Sequence, residues 1–188
     1  MITWTETRPD FARLPANKLF QQLSFTLVCG LIVRALGEMR VLVNNKSLRG
    51  IEQHLAERNI ESGGLLLGNV YQLRPGDDNL IVHVETFSRA NSFDGTSVSL
   101  RMDTSVWDTA RLAAKGQCYV VGWYHSHPNL GAFFSGTDRA TQRAFFNAPH
   151  SLGLVIDPIR QEQKWFLGPG SAELKPRQVL VQSLANVE

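Results

Sequence analysis

The sequence contains very few cysteines, which excludes two classes of small protein. Cys29 and Cys118 are its only two cysteines, and they lie far apart in the chain. A disulfide framework or a zinc finger needs several closely spaced cysteines or histidines, so neither is indicated. An apolar strand is a common place for a free cysteine, and we expect a reducing cytoplasm as the compartment of this protein.

Strong charge of either sign is also missing. The chain has 19 basic and 17 acidic residues, for a formal net charge of +2, and it has no run of lysine or arginine. Proteins that bind nucleic acid present a basic patch or stripe. Nucleic acid is therefore not the indicated partner.

A long hydrophobic run is absent as well. The most apolar segment is Phe25–Val33, which is too short to span a bilayer. It has no clear small-residue cleavage site and is followed by Arg34, so it does not read as a signal peptide. We expect no membrane association, and either a buried strand or a short helix at this segment.

The composition is that of an ordinary globular protein with one domain. With 188 residues, of which 43% are hydrophobic, the chain can bury roughly 70% of its unfolded surface. Apolar periodicity predicts helices over residues 47–58 and 104–114. It predicts strands over residues 40–43, 65–71, 80–87, 97–102, 118–124, 152–156 and 164–167, with a turn at 74–78 and a loop at 88–96. This order indicates α+β or α/β layers.

Two histidines at the end of a predicted strand are the most informative local feature. His125 and His127 follow the β-branched and aromatic run 118–124, and Pro128 should end the strand. Alternate residues of a strand face the same side, so both imidazoles can reach one ion. The other histidines lack a ligand-like neighbour at short spacing and are expected to be structural or surface residues: His54, His83 and His150.

A predicted helix start supplies a third ligand. Ser135 lies at or near the N-cap of a helix, which places Asp138 in the first turn. A carboxylate there can lean back toward the strand end and complete a set of two nitrogens and one oxygen. Three protein ligands leave a fourth position for water, as in catalytic zinc sites. Taken alone, Ser-x-x-Asp is a helix cap roughly ten times more often than a catalytic pair, and the two histidines reverse that preference.

The complete pattern resembles the signature of the JAMM (MPN+) metallopeptidases. His-x-His-Pro, six residues and Ser-x-x-Asp match in register, and the upstream pattern Glu-x-x-Gly-x-Leu-x-Gly is matched by Glu61, Gly64, Leu66 and Gly68. The resemblance covers about residues 40 to 168. It implies an MPN/JAB domain, a curved mixed β-sheet flanked by helices in cytidine-deaminase-like layers. The expected division is an N-terminal extension at 1–39 that packs on or docks to the core, a catalytic domain at 40–168 and a C-terminal tail at 169–188.

The resemblance also implies the cofactor and the residue roles. Zn²⁺ is the implied cofactor, with His125, His127 and Asp138 as its ligands. Glu61 is the implied general base, which accepts a proton from the zinc-activated water and returns it to the leaving amine. Ser135 is the implied donor to the carbonyl oxygen as negative charge develops there, and its helix-cap role stays open beside this one.

The implied substrate is a ubiquitin-like protein, cut after its C-terminal glycine. Residues 88–102 occupy the place of an insertion that holds the substrate tail as an added strand in family deubiquitinases. The candidate contacts are Ser88, Asn91, Ser97, Ser99 and Met102. Some eukaryotic members of the family that this chain resembles carry a second insertion after the Asp-Pro element, which helps select polyubiquitin linkage. Here only residues 159–163 separate Asp157-Pro158 from the next strand, so the resemblance favours a compact prokaryotic-type deconjugase over a linkage-specific enzyme. Conjugates of the modifier, and conjugation enzymes of the same pathway, are the expected partners.

Alternatives of other classes remain open. One is a processing peptidase for a sulfur-carrier-type precursor or a small amide, which would cut a linear fusion but not an isopeptide. Another is a non-catalytic MPN scaffold subunit, although such subunits usually lose the metal ligands that this chain retains. A purely structural zinc site is disfavoured because it normally has four protein ligands.

Overall fold

One mixed sheet organises the molecule. The computed structural model describes residues 12–33, 38–76, 78–90, 104–114 and 116–182. Its strands are β1 Leu14–Pro15, β2 Arg40–Asn44, β3 Gly63–Gln72, β4 Leu80–Arg89, β5 Tyr119–Ser126, β6 Leu152–Asp157, β7 Glu162–Leu167, β8 Ala172–Glu173 and β9 Val179–Gln182. Its helices are α1 Ala16–Phe20, α2 Phe25–Val33, α3 Asn45–Ala56, α4 Thr104–Ala114 and α5 Gly136–Phe145, with a 3-10 turn at Pro176–Gln178.

The strand order places β3 and β5 at the centre of the sheet. Among the described residues the order is β8-β7-β6-β5-β3-β4-β2-β9, and β1 pairs with the C-terminal end of β3. β3 is antiparallel to both β4 and β5, whereas β5 is parallel to β6 and β2 is parallel to β4. The fold is therefore mixed α+β, as the sequence predicts.

Helices cover both faces of the sheet, which explains why β3 is buried along nearly its whole length. Leu66 of β3 packs in a cluster with Leu48, Ile51 and Leu55, the apolar stripe of α3. Its neighbour Leu65 points to the other face and packs with Ala110 and Ala114 of α4. Successive side chains of a strand alternate between faces, so a central strand covered on both sides is apolar at nearly every position.

The N-terminal helices α1 and α2 cover a further part of the face on which α4 lies. Leu19 of α1 and Leu31 of α2 are fully buried and join a cluster with Leu42, Tyr71 and Leu180 of the sheet. The apolar segment that the sequence left undecided is therefore a helix. No helix in the described ranges is long and apolar enough to cross a membrane.

The predicted elements agree with the structure within a few residues at their ends. The difference at β4 bears on a candidate site residue, because β4 was expected to end at residue 87 and runs to Arg89. The prediction that Ser88 lies in a loop is wrong, because Ser88 pairs with Leu65 and Arg89 pairs with Gly64 of β3. The predicted strand at 97–102 and the loop residues after 90 lie outside the described residues.

Candidate metal and catalytic site

The histidine strand ends at the centre of the sheet, beside the start of β3. His125 is the penultimate residue of β5 and pairs with Gly63. The next histidine lies one residue beyond the strand, where the backbone N–H of His127 donates to the carbonyl of Ile156 at 3.0 Å. A side chain at Gly63 would collide with the Tyr124 carbonyl and lie 3.1 Å from the His125 Cβ, so glycine is what allows this close approach.

The first turn of α5 brings Asp138 to the same point. Ser135 is the N-cap, and its hydroxyl accepts a hydrogen bond from the Asp138 N–H at 3.2 Å. In return the Ser135 N–H donates to Asp138 Oδ2 at 2.7 Å, which completes a capping box. The helix cap and the proposed ligand role of Asp138 are therefore compatible, because the capping box fixes the direction in which the carboxylate points.

The three candidate ligands converge with the spacing that a tetrahedral ion requires. The Nε2 atoms of His125 and His127 are 3.1 Å apart, and Asp138 Oδ1 is 3.2 Å from the first of them. Asp138 Oδ2 lies 3.6 Å from His127 Nε2. Ligand bonds of about 2.0–2.1 Å at tetrahedral angles separate neighbouring ligand atoms by about 3.3 Å. The donor set therefore fits a zinc ion, and all three residues are buried.

Burial and neighbouring groups shift the pKa values of His127 and Asp138 in the directions that favour metal binding. Burial lowers the pKa of His127, and the adjacent His125 lowers it further, which favours the neutral imidazole that binds metal. Burial acts to raise the pKa of Asp138, but contacts with His125 and Ser135 outweigh it and lower the value to about 2. Asp138 is therefore a carboxylate anion at neutral pH.

Glu61 lies beside the candidate ligands without joining them. Its Oε1 is 3.8 Å from His127 Nε2, and its side chain is only 11% exposed. Burial raises the pKa of Glu61, the electrostatic effect of His125 opposes this shift, and the negative charge of Asp138 adds to it. A buried carboxylate beside three candidate metal ligands suits the role of a general base, which stays a prediction for Glu61.

Aromatic packing holds the His125 ring in place. Trp123 stacks on it with ring centroids 4.6 Å apart and an interplanar angle of 9°. The indole N–H of Trp123 donates to Gln142 of α5 at 2.6 Å, and the Gln142 amide donates to the carbonyls of Ser151 and Gly168. Trp123 is thus a packing residue, and it links the histidine strand to the helix that carries Asp138.

Asp157 organises the loop after His127, and the sequence did not predict this role. Its carboxylate is fully buried and accepts backbone N–H groups of Asn129 at 3.0 Å and Gly131 at 2.7 Å. It also accepts those of Ile159 and Arg160. Burial acts to raise the pKa of Asp157, but these four hydrogen bonds outweigh it and lower the value to about 2. The available signal was an aspartate before a proline at a strand end, where Asx turns are common.

Of the five proposed substrate contacts, Ser88 alone lies among the described residues. Ser88 is 4% exposed, and its hydroxyl has no partner among the described residues. The other four proposed substrate contacts lie outside the described residues: Asn91, Ser97, Ser99 and Met102. His54, His83 and His150 are all buried, and His54 Nδ1 is 2.9 Å from the Tyr124 hydroxyl, in line with structural roles.

Comparison with known proteins agrees with this geometry. COP9 signalosome complex subunit 5 from Eremothecium gossypii is 30% identical over 65% of this chain and 29% of its own length. The ubiquitin carboxyl-terminal hydrolase RPN11 from Saccharomyces cerevisiae is 33% identical over 54% of this chain and 32% of its own length. The chain thus spans about a third of the length of these curated relatives.

A solved structure and a family model cover more of the chain. The solution structure of a protein from Desulfitobacterium hafniense has a TM-score of 0.58 at 25% identity, and the match covers 76% of this chain and 93% of that one. The family model described as prokaryotic homologs of the JAB domain matches residues 47–167, which include Glu61 and all three candidate ligands. The chain therefore belongs to the family of prokaryotic homologues of the JAB domain, as its JAMM signature indicated.

Proposed function

We propose that this protein is a zinc-dependent isopeptidase or peptidase that hydrolyses the bond after the C-terminal glycine of a ubiquitin-like protein, in deconjugation, precursor processing or both. The observation that supports it most is the buried group of His125, His127 and Asp138 with Glu61 next to it, in a chain of the JAB family. The yeast relative is named a ubiquitin carboxyl-terminal hydrolase, which favours a substrate of this class.

Zn²⁺ would be held by the two imidazoles and the Asp138 carboxylate. When bound, it would polarise a water molecule and lower the pKa of that water toward about 7. The protein contributes the orientation of the ligands, because Trp123 fixes the ring of His125 and the capping box fixes the carboxylate. Burial excludes bulk water from the ligands and strengthens their electrostatic interactions.

Glu61 and Ser135 would carry the proton and charge steps. Glu61 accepts the proton of the attacking water and then delivers it to the leaving amine. The Ser135 hydroxyl already accepts from the Asp138 N–H, which leaves its own proton free to donate to the carbonyl oxygen. Both proposed roles of Ser135 are therefore compatible.

The substrate tail would bind beside the end of β4, along residues 88–102. β4 leaves the sheet next to Gly63, since the Ala90 N–H donates to the Gly63 carbonyl at 3.0 Å. Gly63 is also the partner of His125, so Ala90, the last residue of this segment that the structure describes, lies close to the candidate metal site. We propose the cytoplasm as the compartment, with conjugates of the modifier and its conjugation enzymes as partners.

A cleavage panel tests the proposal directly. The zinc-loaded protein is incubated with ubiquitin-like proteins fused linearly to a reporter or joined through a lysine side chain, and products are identified by mass spectrometry. We expect about one zinc per chain, cleavage after the terminal glycine and full loss of activity on chelation. His127→Ala should lose both zinc and activity, because two remaining ligands hold the ion poorly.

The outcomes separate the competing functions. Cleavage of linear fusions alone would favour the processing peptidase over the deconjugase. Zinc binding without cleavage of any fusion or conjugate would contradict the proposal and favour a scaffold subunit. Cleavage that survives a strong chelator would remove zinc from the reaction.

A further inference from the structure

Ser126 lies between the two candidate metal ligands and makes contacts that neither histidine makes. It is fully buried at the last position of β5. Its hydroxyl accepts a hydrogen bond from the backbone N–H of Ser62 at 3.0 Å. Ser62 directly follows Glu61 in the chain, so this bond joins the histidine strand to the segment that carries the candidate base.

The same hydroxyl reaches the residue before Glu61. Ser126 Oγ is 3.5 Å from the carbonyl oxygens of both Ile60 and Ser62. A hydroxyl has one proton and two acceptor lone pairs, so it can take the Ser62 N–H and share its proton between these carbonyls. One side chain therefore contacts the backbone on both sides of Glu61.

This contact is important because Glu61 lies outside regular secondary structure. α3 ends at Ala56 and β3 begins at Gly63, which leaves the base on a connecting segment. Packing gives the residue before the base little support, since the side chain of Ile60 is 43% exposed, whereas Ser62 after the base is buried. The backbone bond from Ser126 N–H to the Ser62 carbonyl, at 2.9 Å, fixes only the residue after the base.

We propose that Ser126 is a positioning residue that holds Glu61 at its working distance from the metal ligands. The inference rests on the proposed role of Glu61 as general base. A small displacement of a base from its proton can cost one to two orders of magnitude in rate, because proton transfer requires hydrogen-bond distance. Serine has the small size and the paired donor and acceptor that this buried position needs.

The experiment compares Ser126→Ala with a matched control. Ser126→Ala should lower kcat by about tenfold, leave KM and zinc content near wild type, and speed hydrogen exchange of the Ser62 amide. Ser47→Ala is the control, because Ser47 is also a buried serine and donates to the Glu85 carbonyl at 2.6 Å, away from the site. It should lower the melting temperature comparably without changing kcat. If Ser126→Ala does not fold, Ser126→Cys is measured instead, since its thiol is a weak donor and acceptor of similar shape.

A double-mutant cycle with Glu61→Gln distinguishes positioning from general stability. If Ser126 acts through Glu61, adding Ser126→Ala to Glu61→Gln should change kcat by less than about twofold. A full tenfold loss in both backgrounds would overturn the inference, as would an unchanged exchange rate at the Ser62 amide. If Glu61→Gln alone keeps wild-type turnover, the proposed role of Glu61 fails, whereas the exchange rate still decides whether Ser126 holds Ser62.

Discussion

Glu61 and Asp138 are two neighbouring carboxylates whose surroundings differ in a way that suits the two roles proposed for them. Asp138 accepts the Ser135 N–H and contacts His125, and its pKa is lowered to about 2. Glu61 Oε1 lies 3.8 Å from His127 Nε2, and burial raises the pKa of Glu61. A carboxylate with a low pKa suits a permanent ligand, whereas one that keeps an affinity for protons suits a base.

Replacing Glu61 by glutamine tests this division of roles. Glu61→Gln keeps the size of the side chain and a hydrogen bond to water, but an amide cannot accept the proton. We expect kcat to fall by about 10² or more while zinc content and melting temperature stay near wild type. The variant should still bind its modifier, and so act as a substrate trap. Loss of zinc would instead make Glu61 a ligand, and unchanged turnover would exclude it from the mechanism.

The three candidate ligands and Glu61 could be predicted from the sequence because each occurs in a short motif with fixed spacing. Ser126 and Asp157 were not singled out, since a serine in a strand and an aspartate at a strand end are common residues. Each matters because of a distant hydrogen-bond partner. Ser126 accepts from the N–H of Ser62, 64 residues away, and Asp157 accepts from the N–H of Gly131, 26 residues away. Tertiary hydrogen bonds of this range leave no periodic signal in the sequence.

At the scale of elements, the loop after His127 depends on one buried carboxylate. The chain turns through Asn129 and Gly131, which both have positive φ angles, 61° and 91°. Asp157 satisfies the N–H groups of both residues, and Glu162 accepts that of Ala132 at 3.2 Å. The end of β6 therefore shapes the loop that leads from the candidate ligand His127 to α5.

Asp157→Asn should weaken this loop. One amide oxygen can still accept, but the amide NH₂ would face an N–H donor, so the free energy of unfolding should fall by about 1–3 kcal/mol. The folded-state pKa of about 2 lies below the ordinary value of 3.8, so the carboxylate stabilises the fold above pH 4 and loses this effect as the pH falls toward 2. The difference in melting temperature between wild type and variant should shrink over the same range.

Glu173→Gln is the control for that measurement. Glu173 forms an exposed ion pair with Lys164 at 3.0 Å, and such pairs contribute little to stability. We expect a change within about 0.5 kcal/mol. An equal effect of the two substitutions, or a pH-independent difference for Asp157→Asn, would contradict the proposed role of the Asp157 carboxylate.

Element boundaries were less predictable than element types. α4 was predicted with its observed bounds, Thr104–Ala114, because its apolar spacing is regular. β4 extends past its apolar residues because Ser88 and Arg89 pair with β3, and pairing partners far along the chain are invisible to local periodicity. The segment Phe25–Val33 is apolar at most positions, so it shows neither the helical period of 3.6 residues nor the strand period of two, and the sequence could not separate a helix from a strand.

At the scale of the whole molecule, the segments outside the predicted catalytic domain contribute to the same sheet. β1 pairs with β3, and β9 pairs with β2 through four residue pairs. The cluster beneath α1 and α2 lies toward Tyr71, whereas the candidate metal site lies at Gly63, at the other end of β3. The division at residues 39 and 168 stays a prediction, and we propose that the N-terminal segment packs on the core rather than docking to another protein.

Leu31→Ala tests that proposal. Leu31 is fully buried in the cluster with Leu42, Tyr71 and Leu180, so removing its side chain should lower the free energy of unfolding by about 2–5 kcal/mol. Val33→Ala is the control on the same helix, because Val33 is 73% exposed and its loss should change stability by less than about 0.5 kcal/mol. Both stabilities are measured by urea unfolding, and kcat of the folded fraction should equal wild type because the cluster is remote from the site. Equal stabilities for the two variants would mean that α2 does not contribute to the core, and its apolar face would then be a surface for another protein.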